Sequence, residues 1–314
     1  MIEVARPGLQ TTVQDAGRFG HRALGVGQAG AADAGALRLA NLLVGNPPGC
    51  AALEITLLGP TLRFTRGALA ALAGADPGAL LNGRRVKPGQ PFDIKAGSTL
   101  QLPRCRHGAR CYLAFAGGLE VTEVLGSAST DLGAGFGHAL QRGDRLRLRT
   151  PRPPRLGRVR WWAEPPEDRQ RMGLPAEVLR ILPDADAALP ADLTALEWQV
   201  DGRSSRKALR LQGPALAIES AAERVSAPVA PGDVQILPDG EPLLLGVEAQ
   251  TVGGYPLLGR VIRADRDRLG QLRPGDSVRF LLVDRAAADA AWRSLQAGWF
   301  RLETALAARR AGAG

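Results

Sequence analysis

Hydrophobic and polar positions alternate in short runs along most of this chain, and nearly every run ends at Gly, Pro, Asn or Asp. Thr61-Leu62-Arg63-Phe64-Thr65 and Ala208-Leu209-Arg210-Leu211-Gln212 put every second side chain on one face, the period of a half-buried strand. Pro242-Leu243-Leu244-Leu245-Gly246-Val247 and Leu257-Leu258-Gly259-Arg260-Val261-Ile262 are apolar runs of strand length. Asn82-Gly83 and Asp239-Gly240 stand between strand-like residues and predict hairpins. Gly143-Asp144 and Gly275-Asp276 each launch an alternating strand, Arg145-Leu146-Arg147-Leu148 and Ser277-Val278-Arg279-Phe280. Gly59-Pro60 and Gly213-Pro214 likewise precede Thr61-Leu62-Arg63-Phe64 and Ala215-Leu216-Ala217-Ile218. The offsets are unequal, so these recurrences predict two similar β-rich domains without an in-register repeat.

Two segments change to helical period. Residues 32–44 carry Leu37, Ala40, Leu43 and Val44 at helical spacing and stop at Gly45-Asn46-Pro47-Pro48. Asp33 falls in the first turn, where the helix dipole favours a negative charge. A second helix over 286–309 places Trp292, Leu295, Trp299, Leu302 and Leu306 on one stripe. That stripe either packs on its own domain or is presented to a partner. Proline and charge peak at Thr150-Pro151-Arg152-Pro153-Pro154-Arg155, which predicts the domain boundary. The expected organisation is a β-rich domain over 1–150, a β-barrel domain over 156–284, and a helix and tail over 285–314.

Composition changes this picture little. A chain of 314 residues with 45% hydrophobic side chains can bury two cores. The net charge of +9 would suit nucleic acid, but only three of the 40 basic residues are lysine, the arginines are interleaved with acids, and aromatics reach just 4%. The arginine excess reads as the codon bias of a GC-rich genome, and no nucleic-acid partner is expected. Cys50, Cys105 and Cys111 cannot all pair, which fits a reducing compartment. Cys105-Arg106-His107 with Cys111 has three soft ligands but no knuckle spacing, so no metal is expected. The first residues lack a signal-peptide pattern, and no apolar run nears the roughly 20 residues that span a bilayer. The expectation is a cytoplasmic protein off the membrane.

The candidate chemistry lies in glycine-flanked loops. In Gln250-Thr251-Val252-Gly253-Gly254-Tyr255-Pro256 paired glycines leave backbone amides open beside Thr and Tyr hydroxyls. Such a turn holds a carboxylate, amide or phosphate, or else is a plain hairpin with a packed Tyr. In Gln14-Asp15-Ala16-Gly17-Arg18 the acid and guanidinium stand three apart. They are either a local ion pair fixing the turn, or a general base (Asp15) beside an anion-binding Arg18. Gly25-Val26-Gly27-Gln28-Ala29-Gly30 matches G-x-G-x-x-G, but no buried strand precedes it and a dinucleotide site is not expected. It is either a loop capping a helix or a set of amides facing an anion. No P-loop, nucleophile elbow or convincing triad occurs. His21, His107 and His138 read as loop histidines.

As a set these stretches resemble one family, variously described as allophanate hydrolase subunit 2, KipA, biotin-dependent carboxyltransferase or the C component of 5-oxoprolinase. The resemblance runs in order through Gly8-Leu9-Gln10-Thr11-Thr12-Val13-Gln14-Asp15-Ala16-Gly17-Arg18 and Ala40-Asn41-Leu42-Leu43-Val44-Gly45-Asn46. It continues through Leu53-Glu54-Ile55-Thr56-Leu57-Leu58-Gly59-Pro60, Tyr112-Leu113-Ala114-Phe115-Ala116-Gly117-Gly118 and Gly126-Ser127-Ala128-Ser129-Thr130-Asp131. It closes on the 250–256 turn and Gln271-Leu272-Arg273-Pro274-Gly275-Asp276. Three positions depart. Ser204-Ser205-Arg206-Lys207-Ala208 stands for Ser-Asp-Arg-Met-Gly, Glu248 for an Asp, and Ala128 for an Arg.

The resemblance implies a mainly β protein of cyclophilin-like barrel architecture. It implies the C component of an ATP-dependent 5-oxoprolinase, acting on the lactam of 5-oxoproline with a KipI-like B component and a LamB/YcsF-like A component. ATP would be shared with the partner. The alternatives it carries are carboxyl transfer from carboxybiotin to urea or a similar amide, and a non-enzymatic regulator that binds a KipI-like kinase inhibitor. No biotin is expected on this chain, because no lysine has a Met neighbour. The site residues implied are Asp15 and Arg18 for catalysis, with Gln14, Ser127, Ser129, Gln250, Thr251, Gly253, Gly254 and Tyr255 for substrate.

Overall fold

The computed structural model describes residues 1–149, 162–167, 173–185, 189–217 and 225–311. The chain divides into two compact units. Met1–Arg18, Asp33–Pro165 and Trp299–Gly314 form the first, and Phe19–Ala32 with Pro166–Gly298 form the second. The boundary expected at 150–155 lies outside the described residues. Both units are mainly β.

The first unit is built from two sheets. One orders its strands Leu119–Glu120, Arg145–Leu148, Ile2–Arg6, Thr61–Phe64, Thr99–Gln101, Leu80–Leu81, Arg84–Arg85. The other runs Gln10–Gln14, Ala52–Thr56, Arg110–Phe115, Ala68–Gly74, Pro91–Ile94, and each of its neighbouring strand pairs for which a register is given is antiparallel. Alternate residues from both sheets meet in one core that includes Ile2, Val4, Leu62, Phe64, Leu53, Leu72, Leu113 and Phe115. Strand Arg110–Phe115 is buried at every position, unlike the half-exposed strands the alternation predicts. The reason is a second cover: helix Ala34–Val44 packs on that strand and on Ala68–Gly74. The strand positions outside the core cluster include Ala71, Ala73 and Ala114, small enough for the helix to sit close.

That helix starts one residue later than a first-turn Asp33 would require. Asp33 is its N-cap, accepting a hydrogen bond from Ala36 N–H at 2.8 Å. The cap is itself anchored: Asp33 N–H donates to the Tyr112 hydroxyl at 2.8 Å, which donates to Glu54 Oε2 at 2.7 Å. Arg110 Nε lies 3.4 Å from Glu54 Oε1, so the buried carboxylate has a cation as well as a donor. Burial, with Glu54 and Asp33 nearby, pushes the Tyr112 phenol well above its usual range. At the other end Gly45 takes φ +82° and closes the helix as its sequence predicts.

The second unit contains a closed barrel ordered Val178–Pro183, Leu257–Val261, Asp233–Ile236, Pro242–Leu245, Ala208–Gln212, Trp198–Val200, Ser277–Leu282. Closure is made by the parallel pair Val178–Pro183 and Ser277–Leu282. Leu179, Ile181, Trp198, Leu211, Val234, Leu244, Val261 and Phe280 fill the interior. Arg180 and Asp265 form a buried two-point pair (Nη2–Oδ1 2.6 Å, Nε–Oδ2 3.1 Å), and Arg180 N–H also donates to Oδ2 at 3.0 Å.

The predicted turns are found with their expected chemistry. Asn82 and Gly83 take φ +50° and +79° between paired Leu81 and Arg84, a two-residue hairpin with both central residues left-handed. Asp239-Gly240 closes the Asp233–Ile236/Pro242–Leu245 hairpin with Gly240 at φ +81°. The two Gly-Asp launches are locally equivalent. Gly143 N–H donates to Val4 O, and Val4 N–H returns to Asp144 O. Gly275, Val200 and Asp276 repeat the same exchange in the second unit. The match between 61–64 and 215–218 fails, because 215–217 form no strand and Ile218 lies outside the described residues. The C-terminal helix spans Arg285–Ala311, with Leu295, Trp299 and Leu306 buried. Within the first unit Arg38 stacks on Trp299 at 4.5 Å and pairs with Glu303 at 2.8 Å. Within the second, Arg263 covers Trp292 at 4.0 Å. The stripe is thus covered at these points by the chain's own arginines. No helix among the described residues is long and apolar enough to cross a membrane.

Two stability outcomes follow from these buried charges. Arg180→Ala leaves Asp265 buried without its cation and lowers unfolding free energy by about 3–5 kcal/mol, measured by denaturant titration. Tyr112→Phe removes the hydroxyl that bridges Glu54 and the Asp33 amide, and costs about 1–3 kcal/mol in the same assay. A midpoint unchanged in either variant would show that the pair or the bridge carries no net stability.

Candidate functional site

The implied site residues fall into two clusters, one in each unit, and each is described on its own. In the first unit strand Gln10–Gln14 ends at Asp15, and the chain then turns through Gly17 at φ +106° to Arg18. Asp15 is half-buried, and its carboxylate is met from several sides. Oδ1 accepts from the Ser127 hydroxyl at 2.7 Å, the Ser129 hydroxyl at 2.5 Å and Gly17 N–H at 2.9 Å. Oδ2 accepts from Ala128 N–H at 2.7 Å. Asp15 N–H donates back to Ser129 Oγ at 3.0 Å, and Ser129 N–H to Ser127 Oγ at 3.0 Å. At Ala128 the contact is made by the backbone.

Arg18 does not pair with Asp15. It is 1% exposed, with Nε donating to Val124 O and Nη2 to Ser129 O, both at 2.9 Å, and its guanidinium lies 4.6 Å from the Phe136 ring centre. Gln14 is fully buried and donates to Thr130 O at 2.9 Å and Thr12 Oγ1 at 3.1 Å. The structure thus brings Gln14, Asp15, Arg18, Ser127 and Ser129 together, with the first three turned onto the 126–131 loop that carries the two serines. Cys50 senses this cluster. Burial chiefly, with Asp15 adding to it and Arg149 opposing, pushes its thiol upward, away from a thiolate nucleophile.

In the second unit the 250–256 turn joins strands Pro242–Leu245 and Leu257–Val261. Val252–Gly253 pairs with Ala227–Pro228 in a two-stranded ribbon, and Thr251 O accepts from Val229 N–H at 3.0 Å. Tyr255 is 44% exposed, Gly254 is exposed and Thr251 is half-buried, so both hydroxyl-bearing side chains stand at the surface of this unit. The paired glycines answer a different need from the one their sequence suggests. Neither has a left-handed φ. At Gly253 the space is tight: a Cβ there would lie 3.0 Å from Gln235 Nε2 and 3.3 Å from Val229 Cγ1.

Several residues around this turn carry no sequence signal of their own. Gln235 is fully buried on the barrel and donates from Nε2 to Tyr255 O at 3.2 Å, while its Oε1 accepts no hydrogen bond. A Gln inside the apolar run Val234-Gln235-Ile236-Leu237 was the one available hint. Arg22 reaches Val229 O and Gln250 O from Nη2, the latter at 3.3 Å, and its buried Nη1 has no partner. Asp233, fully buried, takes Arg260 Nε on Oδ1 and Ala230 N–H on Oδ2 at 2.7 Å. Glu248, one of the departures in the sequence, meets the arginine of the 204–208 stretch here. Arg206 Nε meets Glu248 Oε1 at 2.5 Å, and its Nη2 donates to Gly30 O at 2.6 Å. With Ala29 N–H donating to Val247 O at 3.0 Å, the Gly25-to-Gly30 loop is bonded into the unit rather than open around an anion.

Comparison with known proteins places this geometry. The family model described as carboxyltransferase domain, subdomain A and B, matches residues 24–282. The chain is 38% identical over 290 residues to the C component of 5-oxoprolinase from Escherichia coli strain K12, covering 90% of this chain and 91% of that one. The crystal structure of TTHA0988 superposes with a TM-score of 0.79 at 39% identity, covering 89% of this chain and 55% of that one. The Kluyveromyces lactis urea carboxylase superposes with a TM-score of 0.81 at 27% identity, covering 95% of this chain but 29% of that one. This chain thus spans only about half of the TTHA0988 chain and less than a third of the urea carboxylase. A match over most of the chain, on the same two β-rich units, makes it a member of the carboxyltransferase domain family, subdomains A and B.

Proposed function

We propose that this chain is the C component of an ATP-dependent 5-oxoprolinase. It acts with a KipI-like B component and a LamB/YcsF-like A component to open the lactam of 5-oxoproline to glutamate. The observation that carries this reading is mutual coverage: the E. coli C component is matched over 91% of its length. The second reading is carboxyl transfer to urea or a related amide. It is favoured by the family description and by the fold shared with urea carboxylase.

Substrate is held in this reading at the 250–256 turn. Thr251 and Tyr255 offer hydroxyls, Gln250 an exposed side chain and Gly254 exposed backbone, and Gly253 lets the turn pack on Gln235. Asp15 and Arg18 serve as positioning residues for the 126–131 loop, because a carboxylate already accepting four hydrogen bonds is a poor general base. Gln14, Ser127 and Ser129 are the loop-side groups they position. ATP is shared with the partner subunit in this reading. The chain has no P-loop, and its G-x-G-x-x-G loop is held by Arg206 and Val247. ATP supplies the activation of the lactam oxygen when bound. This chain's own residues bind and orient the amide.

The deciding experiment is turnover by the three reconstituted components. Release of glutamate and ADP from 5-oxoproline is expected only when all are present. Dependence on bicarbonate and a biotinylated partner would instead establish carboxyl transfer. Thr251→Val and Tyr255→Phe are expected to weaken substrate binding by the assembled protein about 10- to 150-fold, read by calorimetry. Asp15→Asn is expected to lower the melting temperature by roughly 3–12 °C, because its carboxamide nitrogen faces donors it cannot accept from. A stable but inactive Asp15→Asn protein would return Asp15 to a direct chemical role.

A further inference from the structure

Two side chains beneath the 250–256 turn have polar atoms that the fold leaves unused. Gln235 is oriented without ambiguity, because Tyr255 O can only accept and so faces Nε2. Its Oε1 is thereby turned away, buried and without a donor. The carboxamide packs against Gly253, where an added Cβ would lie 3.0 Å from its Nε2 and 3.6 Å from its Oε1. Arg22 holds one end of the same ribbon, its Nη2 donating to Val229 O and Gln250 O, and keeps a buried N–H on Nη1 unpaired. An unpaired acceptor and an unpaired cationic donor therefore flank one short ribbon. Burying polar groups unmet is unfavourable, and more so for a charged one, which favours a ligand that meets both.

The charge balance around them favours an anion. Asp233 is the carboxylate that acts on Arg22, and it is already engaged by Arg260. Arg266 adds a further guanidinium against Gly232, with its own Nε buried and unpaired. Burial pulls the Arg22 and Arg266 guanidiniums below their usual range, with Arg260 adding to the effect and Asp233 opposing it. The ribbon covering this spot is only two residue pairs long, and Ala227, Pro228 and Val252 on it are exposed. A ladder that short is weak enough to lift for a small molecule.

We infer that Arg22 and Gln235 are the specificity-determining pair of this turn, and that they select an amide carrying its own carboxylate. Arg22 Nη1 donates to the carboxylate, and Gln235 Oε1 accepts the amide N–H. The inference rests on the proposed function and sharpens it. 5-Oxoproline has both groups, whereas urea has N–H donors but no anion for Arg22 to meet.

The test uses the full chain, alone and with its partner subunits, and three probes: 5-oxoproline, 2-pyrrolidinone (the same lactam without its carboxylate) and urea. Wild type is expected to bind 5-oxoproline at least about tenfold more tightly than either neutral amide. Arg22→Gln is expected to weaken 5-oxoproline about 10- to 150-fold and leave 2-pyrrolidinone unchanged, which also reports that the variant is folded. Arg22→Lys, which keeps the charge, is expected to fall between. Gln235→Leu is expected to weaken both lactams by the same factor, about 2- to 12-fold. Equal wild-type affinity for charged and neutral amides, equal losses of both lactams in Arg22→Gln, or no change in Gln235→Leu would each overturn the inference. Turnover of 5-oxoproline with unchanged KM in both variants would sink it while leaving the proposed function standing. Arg22-dependent binding of a different carboxylate-bearing amide, with no turnover of 5-oxoproline, would do the reverse.

Discussion

A carboxylate taken out of water must be met by donors or a cation, and that constraint sets where the loops of this protein join its sheets. Each unmet ion costs several kcal/mol, a large fraction of a domain's net stability. Glu54 draws the Tyr112 hydroxyl and Arg110, and through Tyr112 it seats the first helix on its N-cap. Asp15 draws two serine hydroxyls and two backbone amides, and so closes the 126–131 loop over the end of strand Gln10–Gln14. Asp265 draws Arg180 across the barrel wall, and Asp233 draws Arg260 and the Ala230 amide at the start of its strand. The apolar cores supply the driving force, but they are indifferent to a loop's direction. The buried carboxylates are not, because hydrogen bonds are directional.

The same constraint bears on both candidate clusters. In the first unit the Asp15 carboxylate accepts four hydrogen bonds and Arg18 donates to carbonyl oxygens beside an aromatic face, while Arg18 Nη1 and Gln14 Oε1 are buried without a partner. The second unit has unpaired groups of the same kind around the 250–256 turn. Arg22 and Arg266 retain unpaired N–H groups, Gln235 retains an unpaired oxygen, and the hydroxyls of Thr251 and Tyr255 stand at the surface. Groups that a fold orders and then leaves unpaired are the ones available to a ligand.

Glu248 illustrates how a departure from a family pattern can be absorbed. The carboxylate there is one methylene longer than the usual Asp, and it meets Arg206, the residue retained from the neighbouring divergent stretch. Lys207, gained in that stretch, is exposed and takes no side-chain part in the pair. Ser205 of that stretch is also exposed and Ala208 is half-buried, while Arg206 and Glu248 form a buried ion pair.

Much of the architecture was legible in the residues alone, since period, turn chemistry and helix stops are local properties of a chain. Alternation marked Thr61–Phe64 and Ala208–Gln212. Asn82-Gly83 announced its hairpin through the left-handed φ that those residues tolerate, and Gly45 announced the end of the first helix. The resemblance to one family came from ordered motifs and needed no coordinates. What the chain could not declare were the partners of its polar atoms. Asp15 and Arg18, three residues apart, looked made for each other, yet each reaches a loop more than 100 residues away. Gln235 and Arg22 had no motif at all, and the tight space at Gly253 is set by a neighbour 18 positions earlier, not by its own φ. Sequence determined the elements, because backbone preference and side-chain period act over a few residues. Only the tertiary structure decided which polar groups would be satisfied and which left open, because that depends on side chains brought together from distant strands.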